Sequence, residues 1–118
     1  MRTRSQLWAQ GAYERVKEAA QKGGTWAEDY QTMALKFPVL VRQAGLAQAL
    51  AFVDSRGKEA HKRFLDDLAQ VLGRKGGREL AEEALRAELL LYLRLTREVL
   101  QASEWFKRFA QALMEGAS

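Results

Sequence analysis

The sequence predicts an all-α fold, a single-domain bundle of about six helices spanning residues 1–118, and three observations carry that expectation. Ala, Leu, Glu, Arg and Gln dominate while β-branched residues are few, so no competing strand pattern arises. Seven of the nine glycines, at positions 23, 24, 57, 73, 76, 77 and 116, fall between or after stretches of helical periodicity and punctuate them. The third is Phe37 to Val53, FPVLVRQAGLAQALAFV, whose apolar positions point in almost every direction on a helical wheel and mark a buried central helix.

Taken in order, the first helix runs from about Thr3 to Lys22, with Trp8, Ala9, Ala12, Tyr13, Val16, Ala19 and Ala20 on its inner face. Thr25 followed by Glu28 matches a capping box and starts a short second helix at Trp26, which ends at Phe37 because the residue before proline disfavours helical geometry. Pro38, the only proline, then opens the central helix, and Gly45 within it lets another backbone approach closely. A fourth helix, about Lys58 to Leu72, turns Ala60, Phe64, Leu65, Leu68, Val71 and Leu72 inward, and Lys62, Arg63, Asp66 and Asp67 outward. A fifth opens near Arg78 with Glu79, Glu82 and Glu83 in its first turns and enters the apolar run Leu89 to Leu93, a second buried element. Ser103 is the expected N-cap of a last helix carrying Trp105, Phe106, Phe109, Ala112 and Leu113, closed by Gly116.

Composition excludes several function classes. With no cysteine there is no disulfide scaffold, thiolate metal site or cysteine nucleophile, and one histidine does not make a histidine metal site. Neither a signal-peptide apolar run nor a membrane-length apolar stretch is present, which predicts a cytoplasmic protein. Phosphate-binding glycine motifs, GxSxG and HExxH are all missing, so the sequence predicts no catalytic residues, no metal and no cofactor. His61 reads as a core-edge histidine, since no serine or carboxylate is placed by local spacing to act with it. Asp66 and Asp67, adjacent on a helix, diverge by roughly 100° and do not converge on one ion.

Charge is the remaining signal. A net charge of +4 with 19 basic and 15 acidic residues leans weakly towards an anionic partner such as RNA. Arg42 is the sharpest candidate because it falls among apolar positions of the central segment, and Lys36 stands near the same helix entrance. Arg74, Lys75 and Arg78 belong to a glycine-rich loop with three cations and no acid, suited to a phosphate backbone or, equally, to a helix C-terminus. Arg86, Arg94 and Arg97 share one side of the expected fifth helix, with Glu79, Glu83 and Glu98 near enough to compensate them. Trp8, Trp26 and Trp105 read as core residues, with base stacking as the less favoured role.

Two blocks then resemble a known family. Phe37-Pro38-Val39-Leu40-Val41-Arg42-Gln43-Ala44-Gly45-Leu46-Ala47-Gln48-Ala49-Leu50-Ala51-Phe52 is similar to the proline-to-"GLxxALAF" signature of the small helical subunit of type III-B CRISPR (Cmr) effector complexes. Tyr92-Leu93-Arg94-Leu95-Thr96-Arg97-Glu98-Val99-Leu100, followed by Trp105 to Ala112, resembles that family's tyrosine-arginine-threonine helix and tryptophan-led final helix. The resemblance implies a non-catalytic subunit that stacks with copies of itself beside the backbone subunit holding the guide RNA, and whose basic surface lines the target RNA. It also implies other Cmr subunits, guide RNA and target RNA as partners, with no membrane and no small-molecule substrate. Sequence is then read by base pairing, and Arg42, Lys36, Arg74, Lys75, Arg78, Arg94 and Arg97 are the expected phosphate contacts. A helical adaptor that makes only protein contacts is the rival reading.

Overall fold

Six α-helices make up residues 1–114, the residues described in a computed structural model of the protein. They are α1 (Arg4–Lys22), α2 (Gly24–Ala44), α3 (Leu46–Arg56), α4 (Glu59–Val71), α5 (Gly77–Arg86) and α6 (Leu89–Leu113), and no strand occurs among the described residues. The all-α, six-helix, single-domain expectation is met. The expected stop at Gly116 lies outside the described residues.

Helices α1, α2, α4 and α6 enclose the core. Phe64 on α4 stands at its centre, with Tyr30, Phe37 and Phe106 edge-on to it at centroid separations of 5.8, 5.6 and 5.4 Å. All four rings are inaccessible to solvent, and such edge-to-face pairs stabilise beyond their area alone. α3 and α5 pack on one another and on α4, with Leu46, Leu50, Val53 and Leu80 fully buried. The inner faces expected for the first and fourth helices are the ones observed, with Tyr13, 40% exposed, and Asp67, buried on α4, as the exceptions.

The central segment differs from expectation. Pro38 lies inside α2, not at the start of a helix, and Phe37 to Val53 is divided between the end of α2 and α3. Helical geometry continues through Phe37-Pro38 because Tyr30, Met33, Ala34, Phe37, Pro38 and Val41 form one buried stripe, and tertiary burial outweighs the local bias before proline. The chain turns later, at Gly45, with φ 88° and ψ 155°, a region that residues with a Cβ rarely adopt. Val39, Arg42 and Phe52 are exposed, so the segment is buried on one side and not all round.

Helix starts differ as well. Gly23, not Thr25, occupies the N-cap position of α2, and the Thr25–Glu28 box does not form. A different box opens α1, on the matching spacing Thr3-x-x-Gln6 that the sequence reading did not single out: Gln6 N–H donates to Thr3 Oγ1 and Thr3 N–H donates to Gln6 Oε1. The expected fifth helix ends at Arg86, the chain extends through Ala87 and Glu88, and Leu89 begins α6. Ser103 therefore sits in mid-α6, fully buried, where its hydroxyl donates to the Leu100 carbonyl.

Candidate interaction surface

The largest departure concerns Leu89 to Leu93. α6 is 25 residues long, and its first buried residue is Leu95, so its opening turns reach past the core. Leu89, Leu90, Leu91 and Leu93 are 70, 80, 57 and 51% exposed, and Leu85 at the end of α5 is 69% exposed. The run expected to be a second core element is an apolar surface. Periodicity shows which residues share a face, not whether another helix covers it.

The same end of the molecule gathers cations. Arg94 and Arg97, roughly 60° apart on α6, are both exposed, as is Arg86 at the end of α5. An open groove of about 510 Å³ between the two helices is lined by Arg74, Glu83, Arg86, Ala87, Leu91, Arg94, Leu95 and Glu98. The carboxylates expected to compensate Arg86, Arg94 and Arg97 are otherwise engaged. Glu83 receives two hydrogen bonds from Arg74 at 2.8 and 2.7 Å, and Glu98 accepts from Arg4 at 3.1 Å. Among the described residues no carboxylate lies within 4.0 Å of Arg86, Arg94 or Arg97.

The loop between α4 and α5, residues 72–76, is ordered by its own bonds, and Arg78, expected in that loop, stands in the first turn of α5 instead. Gly73, φ 88°, follows α4 in a Schellman arrangement in which Arg74 N–H donates to the Ala69 carbonyl and Gly73 N–H to that of Gln70. Arg74 clamps Glu83 and also donates to the Leu72 carbonyl. The guanidinium holds the Glu83 carboxyl below the ordinary carboxylate range, chiefly by hydrogen bonding. Asp66 Oδ1 accepts from Gly77 N–H at 2.7 Å and so satisfies a free donor at the start of α5. Lys75 and Arg78 remain on the outside; Arg78 is 3.7 Å from Asp54 and 78% exposed.

Arg42 and Lys36 do not share a surface. Six residues apart on α2, they project in directions roughly 120° apart. Arg42, 52% exposed, meets Glu104 of α6 at 3.3 Å, an exposed pair and not a buried one. Lys36 is exposed near the start of α4, where it, Lys58 and Asp29 surround His61. His61 Nδ1 accepts the Lys58 backbone N–H at 3.1 Å, and burial, more than the two lysines, lowers its pKa. Its role is to open α4.

Asp67, expected on the outer face of α4, is buried. It accepts from the Tyr30 hydroxyl at 2.6 Å and from Arg63 at 3.0 Å, and Arg63 also reaches Glu18 at 3.2 Å. Desolvation raises both the Asp67 and the Tyr30 pKa, so the pair is a core polar contact. Trp8 is buried and Trp26 and Trp105 are partly so, in keeping with structural roles. No group of three or more metal-ligating side chains occurs among the described residues.

The fold and this surface define a small helical-bundle protein whose distinctive chemistry lies on its exterior, in unpaired arginines beside exposed leucines. Residues 4–113 match the family model described as CRISPR-associated protein (Cas_Cmr5), and the chain belongs to that family. It is 73% identical over 115 residues to the CRISPR system Cmr subunit Cmr5 of Thermus thermophilus, covering 98% of this chain and 99% of the relative. A crystal structure of a CRISPR-associated Cmr5 family protein from the same organism superposes with a TM-score of 0.92, at 73% identity, over 98% of this chain and 100% of that one. The resemblance carried by Phe37–Phe52 and by Tyr92–Leu100 with Trp105–Ala112 is thereby confirmed. Among the described residues no helix is long and apolar enough to cross a membrane.

Proposed function

We propose that this protein is a non-catalytic stacking subunit of a Cmr interference complex, which contacts RNA through its phosphates and supports guide–target assembly in antiviral defence. The observation that supports this most directly is the set of exposed arginines, Arg86, Arg94 and Arg97, with no carboxylate partner among the described residues. Unpaired surface guanidinium groups raise the local potential and release counterions when they meet a phosphate backbone. Such contacts carry no sequence information, which in this reading comes from pairing with the guide.

The seven candidate contacts then fall into three kinds. Arg94 and Arg97 act directly, as exposed cations on one side of α6. Arg74 acts by holding the loop that presents Lys75 and leads to Arg78 at the start of α5. Arg42 and Lys36 lie on other sides of the bundle, and Arg42 is available once its exposed pair with Glu104 opens. Surface pairs of that kind are worth about 0.2–1 kcal/mol, little enough for a phosphate to displace Glu104.

The test is RNA binding by a reconstituted Cmr complex over a range of salt concentrations. Replacing Arg94 and Arg97 by alanine is expected to weaken target binding and to reduce the magnitude of the log K against log salt slope by about one for each phosphate that these side chains neutralise. An unchanged slope and affinity would show that these arginines do not touch RNA.

A further inference from the structure

We propose that the leucine surface formed by the end of α5 and the first turns of α6 is the docking site for an apolar helix with acidic flanks, belonging to a different protein chain. This rests on the reading of the chain as a subunit of a larger complex, and deepens it by assigning a surface and the chemistry of what covers it.

Leu89, Leu90 and Leu93 lie within roughly 100° of one another on α6, on the side away from buried Leu95 and Val99. Leu91 and, from α5, Leu85 extend the patch, and all five are more than half exposed. Single exposed leucines are ordinary on a protein surface, but five within nine residues exceed what a monomer normally leaves in water. The other exposed large apolar residues, such as Leu7, Val39 and Phe52, are scattered singly over other helices.

Charge selects the occupant. Arg86 borders the leucines from α5, Arg94 follows Leu93 on α6 and Arg97 lies about one turn beyond it, none with a carboxylate within 4.0 Å among the described residues. A second copy docking across a two-fold axis would set these arginines against their own counterparts. Like charges brought together at an interface select against that pairing. A helix with an apolar stripe covers the leucines, and glutamate or aspartate at its edge neutralises Arg86, leaving Arg94 and Arg97, further along α6, to the RNA phosphates of the proposed function. RNA satisfies the arginines but leaves the leucines in water.

The experiment uses the full chain in a reconstituted Cmr complex, with a photo-crosslinking amino acid at position 90 in one preparation and the double variant Leu90→Gln, Leu93→Gln, which adds no charge beside Arg94 and Arg97, in another. Both leucines are exposed, so the variant is expected to keep the wild-type melting temperature. It should lose about tenfold or more in affinity for the rest of the complex, while the salt dependence of residual RNA binding stays unchanged. The crosslink should map to an apolar helical segment with flanking acids in another subunit. Crosslinking to a second copy or to RNA, or wild-type incorporation of the variant, would overturn the proposal. A variant with wild-type incorporation, combined with an intact effect of the Arg94 and Arg97 substitutions on RNA binding, rejects the docking site alone and leaves the RNA reading standing.

Discussion

The Tyr92 hydroxyl on α6 accepts the backbone N–H of Ala47 at 3.0 Å, at the point where α3 begins after the turn at Gly45. Two blocks far apart in sequence, both part of the family resemblance, thus meet through one hydrogen bond. The N-terminal N–H groups of a helix have no partner within the helix, and this one is satisfied by a side chain 45 residues away. Tyr92→Phe removes the acceptor and keeps the ring. The expected cost is about 1 kcal/mol, read as a fall in the melting temperature of a few degrees, roughly 3–6 °C for a chain of this size.

Gly45 is expected to be intolerant of substitution for a conformational reason, not a packing one. A Cβ at that position would stand 3.5 Å from the Tyr92 hydroxyl, an ordinary contact, but its φ of 88° strains any L side chain. Gly45→Ala should destabilise by about 1–2 kcal/mol in a denaturant melt. A variant as stable as wild type would mean that the α2–α3 joint can adopt another geometry.

Arg74 and Arg94 should separate stability from RNA binding. Removing Arg74 leaves Glu83 without its two hydrogen bonds and frees the loop, so Arg74→Ala is expected to lower stability by about 1–3 kcal/mol in urea titration. Arg94→Ala, which loses no ion pair among the described residues, should leave the melting temperature unchanged and alter the salt slope of RNA binding. Equal destabilisation by both would show that Arg94 has a structural partner.

The single histidine gives a pH prediction of definite sign. The folded-state pKa of His61 lies below its ordinary value of 6.5, chiefly through burial, so the unfolded chain takes up the proton more readily. Stability from this group is fully present above pH 6.5 and is lost as pH falls from 6.5 towards the folded-state pKa. Urea midpoints measured from about pH 7.5 down to about 5.5 should fall for the wild type and change less for His61→Ala. A variant with the same pH dependence as wild type would assign the loss to other groups.

Much of the helical content was legible locally. Glycine spacing located the joints that follow α1, α3 and α4, and apolar periodicity placed Val16, Phe64, Leu68 and Phe106 inside, where they are. The helix starts were read less well: Thr25 has the right partner at Glu28, yet Gly23 takes the N-cap position because the chain turns there with φ 64°. For the candidate contacts, the residues were legible but their company was not. Neighbour spacing paired Glu83 and Glu98 with the arginines of the same stretch, whereas Arg74 and Arg4 reach them from other parts of the chain.

By itself the sequence determined an all-helical chain, its punctuation, and the two blocks that mark its family, because these depend on residues that are near one another along the chain. Only the tertiary structure decided that the Phe37–Val53 segment breaks at Gly45 and not at Pro38, and that Leu89 to Leu93 form an apolar surface. The physical reason is that burial belongs to an arrangement of helices: an apolar face becomes core only where another element covers it, and α6 extends past the last helix available to do so.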